Sequence, residues 1–406
     1  MNDTPTMLDV ARAETLIREH LIPLDSLRLR LDLAAGAVLA EDIFADRDQP
    51  PMDRVTMDGI AIRHQSWREG QRTFSILGIQ AAGMPAVDLD DDQGCFEVMT
   101  GACLPTGCDC VIPVERVQRD GGRARLAAEY QPERGQFIHQ RGSDYTAGTP
   151  LLAAGTLLRS PEIAVLAATG RDAVTVTQRP RISIISTGDE LVAPGQPIAS
   201  HQIRSSNDVA MAAPLTRIGV GPVRTLRIAD DRAHLAHDIG RELEQSDILV
   251  LSGGVSMGKF DFLPEVFATL HVSQVFHRVR QRPGKPMWFG TGRRGQMVFA
   301  LPGNPVSALT CLHRYVIPAI SEAMAATDLP RPLAILGAAY EFLPHLSCFL
   351  PVKIRYDRGG QAVGEPCPTN TSGDFASLTR TDGFIELPAE MQHFPAGWAA
   401  PFYPWL

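Results

Sequence analysis

The amino-acid sequence predicts a multidomain protein that combines one doubly wound, mostly parallel α/β domain with β-rich domains. Three observations carry this prediction. The chain has 406 residues, more than one ordinary hydrophobic core accommodates. From Arg181 to about Ala325, apolar strand-like runs alternate with helical periods, which is typical of a parallel sheet with helices on both faces. On either side of that segment, short runs in which apolar and polar residues alternate lie between Gly, Pro and Asp clusters, and these indicate further β-structure.

The first expected element is a helix near the N-terminus. Thr6 and Asp9 have the spacing of a capping box, with Asp in place of the usual Glu or Gln. Apolar residues follow at helical spacing from Val10 to Leu21, so the helix ends before Pro23.

A β-rich segment follows, from about Arg47 to Gly142. Its expected strands are residues 73–79, 95–99 and 109–114. Beyond it, Ser160 as N-cap predicts a helix over residues 161–169, and a strand is expected over 173–176. This last stretch is more typical of a connector than of a core.

The α/β segment contains five expected strands. They are residues 182–185, 223–228, 248–251, 275–279 and 298–301. One helix is expected to begin at Asn207, although Pro214 would be unfavourable inside it. Another is expected over residues 232–244. Asn304 as N-cap and Pro305 as first helical residue predict a further helix. After about Asp328 only strand signals remain, which predicts a small all-β C-terminal domain.

Composition excludes several classes of protein. The formal net charge is -8 and no Lys/Arg run is present, which argues against nucleic-acid binding. Apolar runs are far shorter than the roughly 18 to 20 residues that cross a bilayer, so no membrane association is expected. Seven scattered cysteines and no secretory signal predict a soluble, cytoplasmic protein. Cys108 and Cys110 lack the spacing of a zinc site, so inert thiols are expected.

Four loops should converge at the carboxyl ends of the parallel strands, where α/β sheets bind ligands. They are STGDEL (186–191), ADD (229–231), SGGVSMGKFD (252–261) and LPGNP (301–305), and the basic segment HRVRQRPGKP lies between the last two. Bare N–H groups at Gly253 and Gly254, with a following helix N-terminus, predict an oxyanion site. Glu190, Asp230 and Asp261 would repel that anion unless Mg²⁺ bridged them.

Some alternatives stay open at this stage. Asp230 could equally cap the helix that follows it, and Pro302 and Pro305 could be turn and cap residues. Gly253, Gly258 and Lys259 match the first part of a P-loop, but Phe260 stands where that motif needs a hydroxyl for Mg²⁺. A P-loop NTPase is therefore disfavoured.

In their order and spacing, STGDEL, SGGVSMGKFD, QRPGKP and LPGNPVSA resemble motifs of the MoeA family, the molybdopterin molybdenumtransferases that include the C-terminal part of gephyrin. Further matching motifs are MDGIAI (57–62), MTGACLPTGCDCVI (99–112), RGSDYTAGT (141–149) and SGDFASLTRTDGFIELP (372–388). The resemblance covers nearly the whole chain. Departures are DRVTMDGIA in place of a segment close to DNSAMDGYA, and Arg278 and Arg282 where lysines are common.

The resemblance implies an enzyme that inserts molybdate into the dithiolene of molybdopterin-AMP with the help of Mg²⁺, releasing AMP and the molybdenum cofactor. A molybdopterin adenylyltransferase would supply the substrate, and apo-molybdoenzymes or their chaperones would take the product. The family forms an elongated homodimer with its active cleft between subunits. Two other functions stay open: tungstate insertion, and a dimeric scaffold of the same fold that binds protein partners without catalysis.

The resemblance also implies four domains. They are a linker domain (1–46 and 143–178), whose first helix could pack on the α/β domain, a β-rich domain (47–142), an α/β molybdopterin- and adenylate-binding domain (179–327) and a C-terminal β-barrel (328–406). Carried over position by position, the family's catalytic residues are Asp58, Thr100, Asp144, Glu190, Asp230 and Asp261. The candidate substrate-binding residues are Ser252, Gly253, Gly254, Ser256, Arg278, Arg282, Lys285, Pro302, Asn304 and Pro305.

Overall fold

Two units make up the computed structural model, which describes residues 7–255, 262–326 and 332–406. The first unit contains Met1–Glu41, Ala154–Ile163 and Ala173–Leu406. The second unit contains Asp42–Ala153 and Ala164–Asp172. The described residues contain no helix with the length and apolar character needed to cross a membrane.

Helix α1 (Val10–Glu19) opens the first unit. Its N-cap is Asp9, whose carboxylate accepts a hydrogen bond from the Arg12 backbone N–H at 2.7 Å. The predicted cap was therefore misplaced: Asp9 itself caps the helix, and Thr6 lies outside the described residues. The apolar face of α1 is buried in the same hydrophobic cluster as the α/β sheet described below. Strand β1 (Ser26–Arg30) follows.

The second unit is built around a six-stranded sheet, which confirms its β-rich character. Its strands and one helix are β2 (Ile43–Phe44), β3 (Arg54–Val55), β4 (Gly59–Ile62), α2 (His64–Arg68), β5 (Thr73–Gln80), β6 (Gly94–Val98), β7 (Cys110–Pro113), β8 (Val117–Asp120), β9 (Arg123–Leu126), β10 (Ile138–His139) and β11 (Pro150–Leu152). The sheet order is β7-β4-β6-β5-β9-β8, and β3 pairs with β10 and β2 with β11. Apolar side chains are buried on both faces of β4.

The next elements along the chain are α3 (Ser160–Ala168) and β12 (Ala173–Thr177). Ser160 is the first helical residue rather than the cap, one position earlier than expected. β12 pairs with β1 in antiparallel fashion within the first unit.

The strands of the α/β sheet and the short strands near it are β13 (Ile182–Thr187), β14 (Leu191–Val192), β15 (Ile203–Arg204), β16 (Val223–Ile228), β17 (Ile248–Ser252), β18 (Ser273–His277), β19 (Gln281–Arg282), β20 (Trp288–Thr291) and β21 (Met297–Leu301). The sheet has the order β16-β13-β17-β21-β20-β18. Strands β16, β13, β17 and β21 are mutually parallel, and β20 and β18 are antiparallel. The predicted strand at 275–279 lies two residues earlier, and β20 was not predicted.

Helices cover both faces of this sheet, as the alternating strand pattern predicts. They are α4 (Asn207–Arg217), α5 (Arg232–Gln245), α6 (Leu263–Thr269), α7 (Pro305–Cys311) and α8 (Ile317–Ala323). A short π-helical segment, Leu312–Val316, joins α7 to α8. Even-numbered residues of β13 and β17 pack with α1, α4, α7 and α8, whereas odd-numbered ones pack with α5 and α6. Pro214 lies inside α4 and is buried.

The C-terminal strands close into a barrel, which confirms the predicted β-barrel. The strands of this segment are β22 (Leu333–Leu336), β23 (Tyr340–Glu341), β24 (Ser347–Tyr356), β25 (Ala362–Pro366), β26 (Gly383–Leu387), β27 (His393–Phe394) and β28 (Ala399–Pro404), of which β23 and β27 pair only with each other. The order β24-β25-β22-β28-β26 is closed by direct pairing of β26 with β24. β19 adds to the outside of this ring through Gln281 and Arg282, which pair with Ser347 and Cys348.

Candidate active-site cleft

A cleft of about 1310 Å³ lies in the first unit, between the strand ends of the α/β sheet and the barrel. The loops after β13, β16, β17 and β21 contribute to its polar side, as predicted for the carboxyl ends of parallel strands. The barrel contributes an apolar side that includes Tyr340, Phe342 and Phe375. This combination of a polar floor and an aromatic wall is common in binding sites for organic ligands with charged groups.

Most of the predicted site residues of the first unit line this cleft. They are Glu190, Asp230, Ser252, Gly253, Gly254, Arg282, Lys285, Pro302, Asn304 and Pro305. Ser256 and Asp261 lie outside the described residues, as do Gly258, Lys259 and Phe260 of the disfavoured P-loop. Arg278 is described but is not among the lining residues.

The two described acids lie in the loops that follow two neighbouring parallel strands. Glu190 follows β13, and its exposed side chain lies beside Gly188. Asp230 follows β16, and its backbone N–H donates to Asp189 Oδ1 at 3.0 Å. The cap of α5 is Asp231, whose carboxylate accepts hydrogen bonds from Ala233 N–H and His234 N–H. The capping alternative for Asp230 is therefore wrong.

The glycine turn after β17 differs in part from the prediction. Gly253 and Gly254 have φ values of 102° and 65°, the left-handed region that glycine tolerates. A Cβ on Gly253 would stand 2.7 Å from the Thr187 carbonyl oxygen. However, the Gly253 N–H donates to Leu301 O at 3.1 Å, so it is not free for an anion. The first helix that the structure describes after the glycines, α6, begins at Leu263, and residues 256–261 between them lie outside the described residues.

Only the tip of the basic segment reaches the cleft. Backbone hydrogen bonds from Arg278 N–H to Met287 O at 2.8 Å and from Val279 N–H to Lys285 O at 3.0 Å make residues 278–287 a tight loop. Arg282 and Lys285 lie at its tip, line the cleft and are exposed. Arg278 lies at the base of the loop, with a φ of 73°, and is not among the residues that line the cleft. Within the described part of the chain, Arg282 and Lys285 form no ion pair.

Three cleft residues were missed from the sequence. Asn207 Nδ2 donates to Ser252 Oγ at 2.7 Å and to Gly303 O at 2.8 Å, which fixes the floor of the cleft. The hydroxyls of Ser186 and Thr187 and the Asn207 side-chain oxygen are buried, and none has a hydrogen-bond partner in the described structure. Such groups are uncommon and often belong to binding sites. The sequence signal was a pair of hydroxyl residues at the end of β13, which by itself is common.

The donor set near the ends of β13 and β16 suits a hard cation. Carboxylate oxygens of Glu190 and Asp230 and the unpaired hydroxyls are all oxygen donors, which Mg²⁺ prefers. Across residues 7–255, 262–326 and 332–406, no three His, Cys, Asp or Glu side chains come together as a metal-binding group. The third expected ligand, Asp261, falls outside those ranges. These protein oxygens fit Mg²⁺ provided that a bound substrate supplies further oxygen ligands to the ion.

The remaining predicted residues lie in the second unit and form two polar pairs. Asp58 Oδ1 accepts hydrogen bonds from the Thr100 backbone N–H and the Thr100 hydroxyl, each at 2.7 Å. The backbone N–H first, and the hydroxyl second, hold the pKa of Asp58 below its usual value. Asp144 Oδ1 lies 2.9 Å from His139 Nε2, and Arg54 contacts the other ring nitrogen at 3.2 Å.

Comparison with known proteins agrees with the motifs over the whole chain. Residues 8–170 match the model for the MoeA N-terminal region (domain I and II), residues 183–322 that for a probable molybdopterin binding domain, and residues 334–405 that for the MoeA C-terminal region (domain IV). A molybdopterin molybdenumtransferase of Synechocystis is 40% identical over 98% of this chain and 100% of its own length. The chain belongs to the MoeA family.

Other MoeA-family proteins are similar over comparable lengths. The molybdopterin molybdenumtransferase of Bacillus subtilis is 28% identical over 88% of this chain and 85% of its own. The crystal structure of the molybdopterin biosynthesis moeA protein from Pyrococcus horikoshii OT3 has a TM-score of 0.82 at 26% identity and covers 98% of this chain and 100% of that one. The MoeA-like architecture, with its α/β domain and closed five-strand barrel, is therefore established for this chain.

Proposed function

We propose that the protein is a molybdopterin molybdenumtransferase, which inserts molybdate into adenylylated molybdopterin and releases AMP and the molybdenum cofactor. One observation carries the proposal: carboxylates line the same cleft as two cations that form no ion pair among the described residues. Glu190 and Asp230 stand at the sheet side, and Arg282 and Lys285 enter with the basic loop. The relatives named molybdopterin molybdenumtransferase support the substrate class.

The cations account for the binding of two anions. Molybdate is a dianion, and the adenylate link carries charged phosphate oxygens. Arg282 offers a planar fork of N–H donors and Lys285 a compact ammonium, and both strengthen hydrogen bonds to oxyanions. Because neither cation has a carboxylate partner in the described structure, a bound anion does not have to displace an existing ion pair.

The acids account for the expected role of Mg²⁺. Mg²⁺ bound by Glu190, Asp230 and, by the resemblance, Asp261 would neutralise charge that develops on the phosphate oxygens as the link to AMP breaks. Without the ion, these carboxylates would repel the phosphates. Asn207 fixes the Ser252 hydroxyl and the Gly303 carbonyl, so the floor on which the substrate rests is already formed.

We extend the proposal to the remaining predicted features. Asp58, Thr100 and Asp144 of the second unit would take part in catalysis, and the four domains would have the predicted boundaries. The protein would act as a cytoplasmic homodimer that receives substrate from a molybdopterin adenylyltransferase and passes the cofactor to apo-molybdoenzymes or their chaperones. All seven cysteines are described and are free thiols, which supports a reducing compartment.

The direct test is reconstitution with purified components. The protein is incubated with molybdopterin-AMP, molybdate and Mg²⁺, and AMP is measured by chromatography. AMP release that depends on molybdate and Mg²⁺ is expected. A parallel reaction with tungstate tests the preference between the two oxyanions. The proposal fails if no AMP appears under conditions in which the Synechocystis relative releases it.

A further inference from the structure

We propose that Gln281, held by the hydroxyl of Tyr315, is a positioning residue that sets where Arg282 and Lys285 stand in the cleft. The inference rests on the proposed function, because it concerns how that site would bind an oxyanion. Gln281 itself would not contact the reacting atoms. It would act through the two cations on the loop that it fixes.

Gln281 is buried although it lies within an otherwise polar, basic segment. Its side chain has no exposed surface, whereas the neighbouring Arg282 is exposed. Gln281 Nε2 donates to Gly284 O at 3.1 Å and to Cys311 Sγ at 3.4 Å, and Gln281 Oε1 accepts a hydrogen bond from the Tyr315 hydroxyl. Because the Gly284 carbonyl can only accept, the orientation of the amide is determined.

These bonds tie the loop tip to the helix behind it. The hydrogen bond from Gln281 to Gly284 O closes a short turn that contains Arg282 and ends just before Lys285. Gly284 has a φ of 94°, and a Cβ there would lie 2.5 Å from Cys311 Sγ. On the other side, β19 pairs with the barrel strand β24. The tip is thus held on two sides, and the side chains of Arg282 and Lys285 line the cleft.

Tyr315 lies in the π-helical segment Leu312–Val316, from which its hydroxyl reaches Gln281. This segment adds a residue to the helical path between α7 and α8, and such segments frequently occur at functional sites. Within it, Arg314 pairs with Glu14 of α1 and Glu386 of the barrel, while Tyr315 faces Gln281. Burial raises the pKa of Tyr315 well above its ordinary value, so the hydroxyl stays a donor at working pH.

The test compares two Tyr-to-Phe variants of the full chain. Tyr315→Phe removes only the hydroxyl that holds Gln281. Tyr403→Phe is the matched control, because its partly buried hydroxyl donates to Glu386 at 2.9 Å and does not touch the loop. Molybdate and AMP are titrated separately by calorimetry, and Arg282→Ala serves as the reference for loss of a cation.

For Tyr315→Phe we expect the Kd for molybdate to rise about tenfold, since misplacing a group by about 1 Å costs up to a hundredfold. The Kd of Tyr315→Phe for AMP should also rise, because the same two cations would contact the phosphate, whereas the Kd of Tyr403→Phe for either ligand should stay close to wild type. A double variant, Tyr315→Phe with Gln281→Met, removes both partners and should recover thermal stability without recovering molybdate affinity. That double variant also serves if Tyr315→Phe alone does not fold.

The outcomes separate this inference from the proposed function. If Arg282→Ala weakens molybdate binding but neither Tyr315→Phe nor the double variant does, the positioning role is wrong and the proposed function stands. If Tyr403→Phe weakens binding as much as Tyr315→Phe, the effect is one of general stability and the inference also fails. If the wild-type protein binds no molybdate, the anion site and the proposed function fail together.

Discussion

Two serines on one strand differ in a way that predicts opposite effects on stability. Ser183 Oγ donates to Glu242 Oε2 at 2.7 Å and lies 2.7 Å from Ser246 Oγ. Ser186, three residues further along β13, is equally buried, but its hydroxyl has no partner in the described structure. A buried polar group without a partner costs about 1 to 3 kcal/mol, which a protein tolerates where a ligand needs the group.

Ser186→Ala should therefore raise the melting temperature of the ligand-free protein. Ser183→Ala should lower it, because it leaves the Glu242 carboxylate with fewer hydrogen bonds. Differential scanning calorimetry on the two variants measures both effects. If both substitutions lower the melting temperature alike, Ser186 is an ordinary structural residue.

Glu190 should matter for turnover and little for stability. Its side chain is exposed at the cleft, and surface-loop substitutions usually change stability by less than about 0.5 kcal/mol. Glu190→Gln should reduce AMP release by about a hundredfold or more, as expected when one group that stabilises developing charge is lost. Glu244→Gln, an exposed change on α5 away from the cleft, is the matched control. A large fall in melting temperature for Glu190→Gln would make its role structural.

The Asp58–Thr100 pair can be tested by its titration. The folded-state pKa of Asp58 is depressed, so the stabilisation it contributes is present above its unfolded-state value near 3.8 and is lost as pH falls through the lower folded-state value. Thr100→Val removes the hydroxyl but keeps the backbone N–H, so the pKa of Asp58 should rise part of the way to normal. A carboxylate NMR titration measures it. An unchanged value would mean that the hydroxyl contributes nothing.

Residue chemistry could be predicted where a motif and its spacing were explicit. Glu190 and Asp230 were assigned to the strand-end rim and do line the cleft. Sequence could not decide which acid of the ADD loop caps α5, because both adjacent residues satisfy the spacing. It also could not show that the Gly253 N–H is used by Leu301, since that bond joins loops 48 residues apart.

At the scale of elements, the parallel strands were predictable and the antiparallel edge was not. Strands β13, β17 and β21 are mainly apolar runs between clear turn signals, whereas β16 also contains two arginines. β20 follows the loop of the basic segment, where Pro and Gly interrupt the pattern, and its pairing with β18 shifts register. Antiparallel pairing of this kind depends on tertiary contacts rather than on the local pattern.

Arg314 couples three elements of the first unit and gives an element-scale prediction. Its guanidinium is 2.7 Å from both Glu14 of α1 and Glu386 of β26 and is almost fully buried. Glu386→Gln should destabilise the protein by about 2 kcal/mol, because removing one partner leaves a buried charge partly uncompensated. Glu365→Gln breaks the exposed pair with Arg355 and should cost less than about 1 kcal/mol. Calorimetry that gives equal losses would contradict this.

At the scale of the whole molecule, length predicted only that the chain has more than one domain, and the C-terminal barrel was implied by the family resemblance rather than by the strand pattern. Strand signals in the C-terminal segment show no register, so only the structure reveals that β26 pairs back onto β24. The addition of β19 to the barrel was equally hidden, although it brings Arg282 and Lys285 to the cleft. The site thus depends on a tertiary pairing that no local motif encodes.

The claim that carboxylates and the cations of the basic loop share one oxyanion-binding cleft can be examined directly with a crystal of the protein soaked in molybdate, Mg²⁺ and AMP. Anomalous scattering from molybdenum should give a peak next to Arg282 and Lys285, with AMP in the same cleft. Molybdenum bound only elsewhere on the surface, with that cleft filled by water alone, would contradict it.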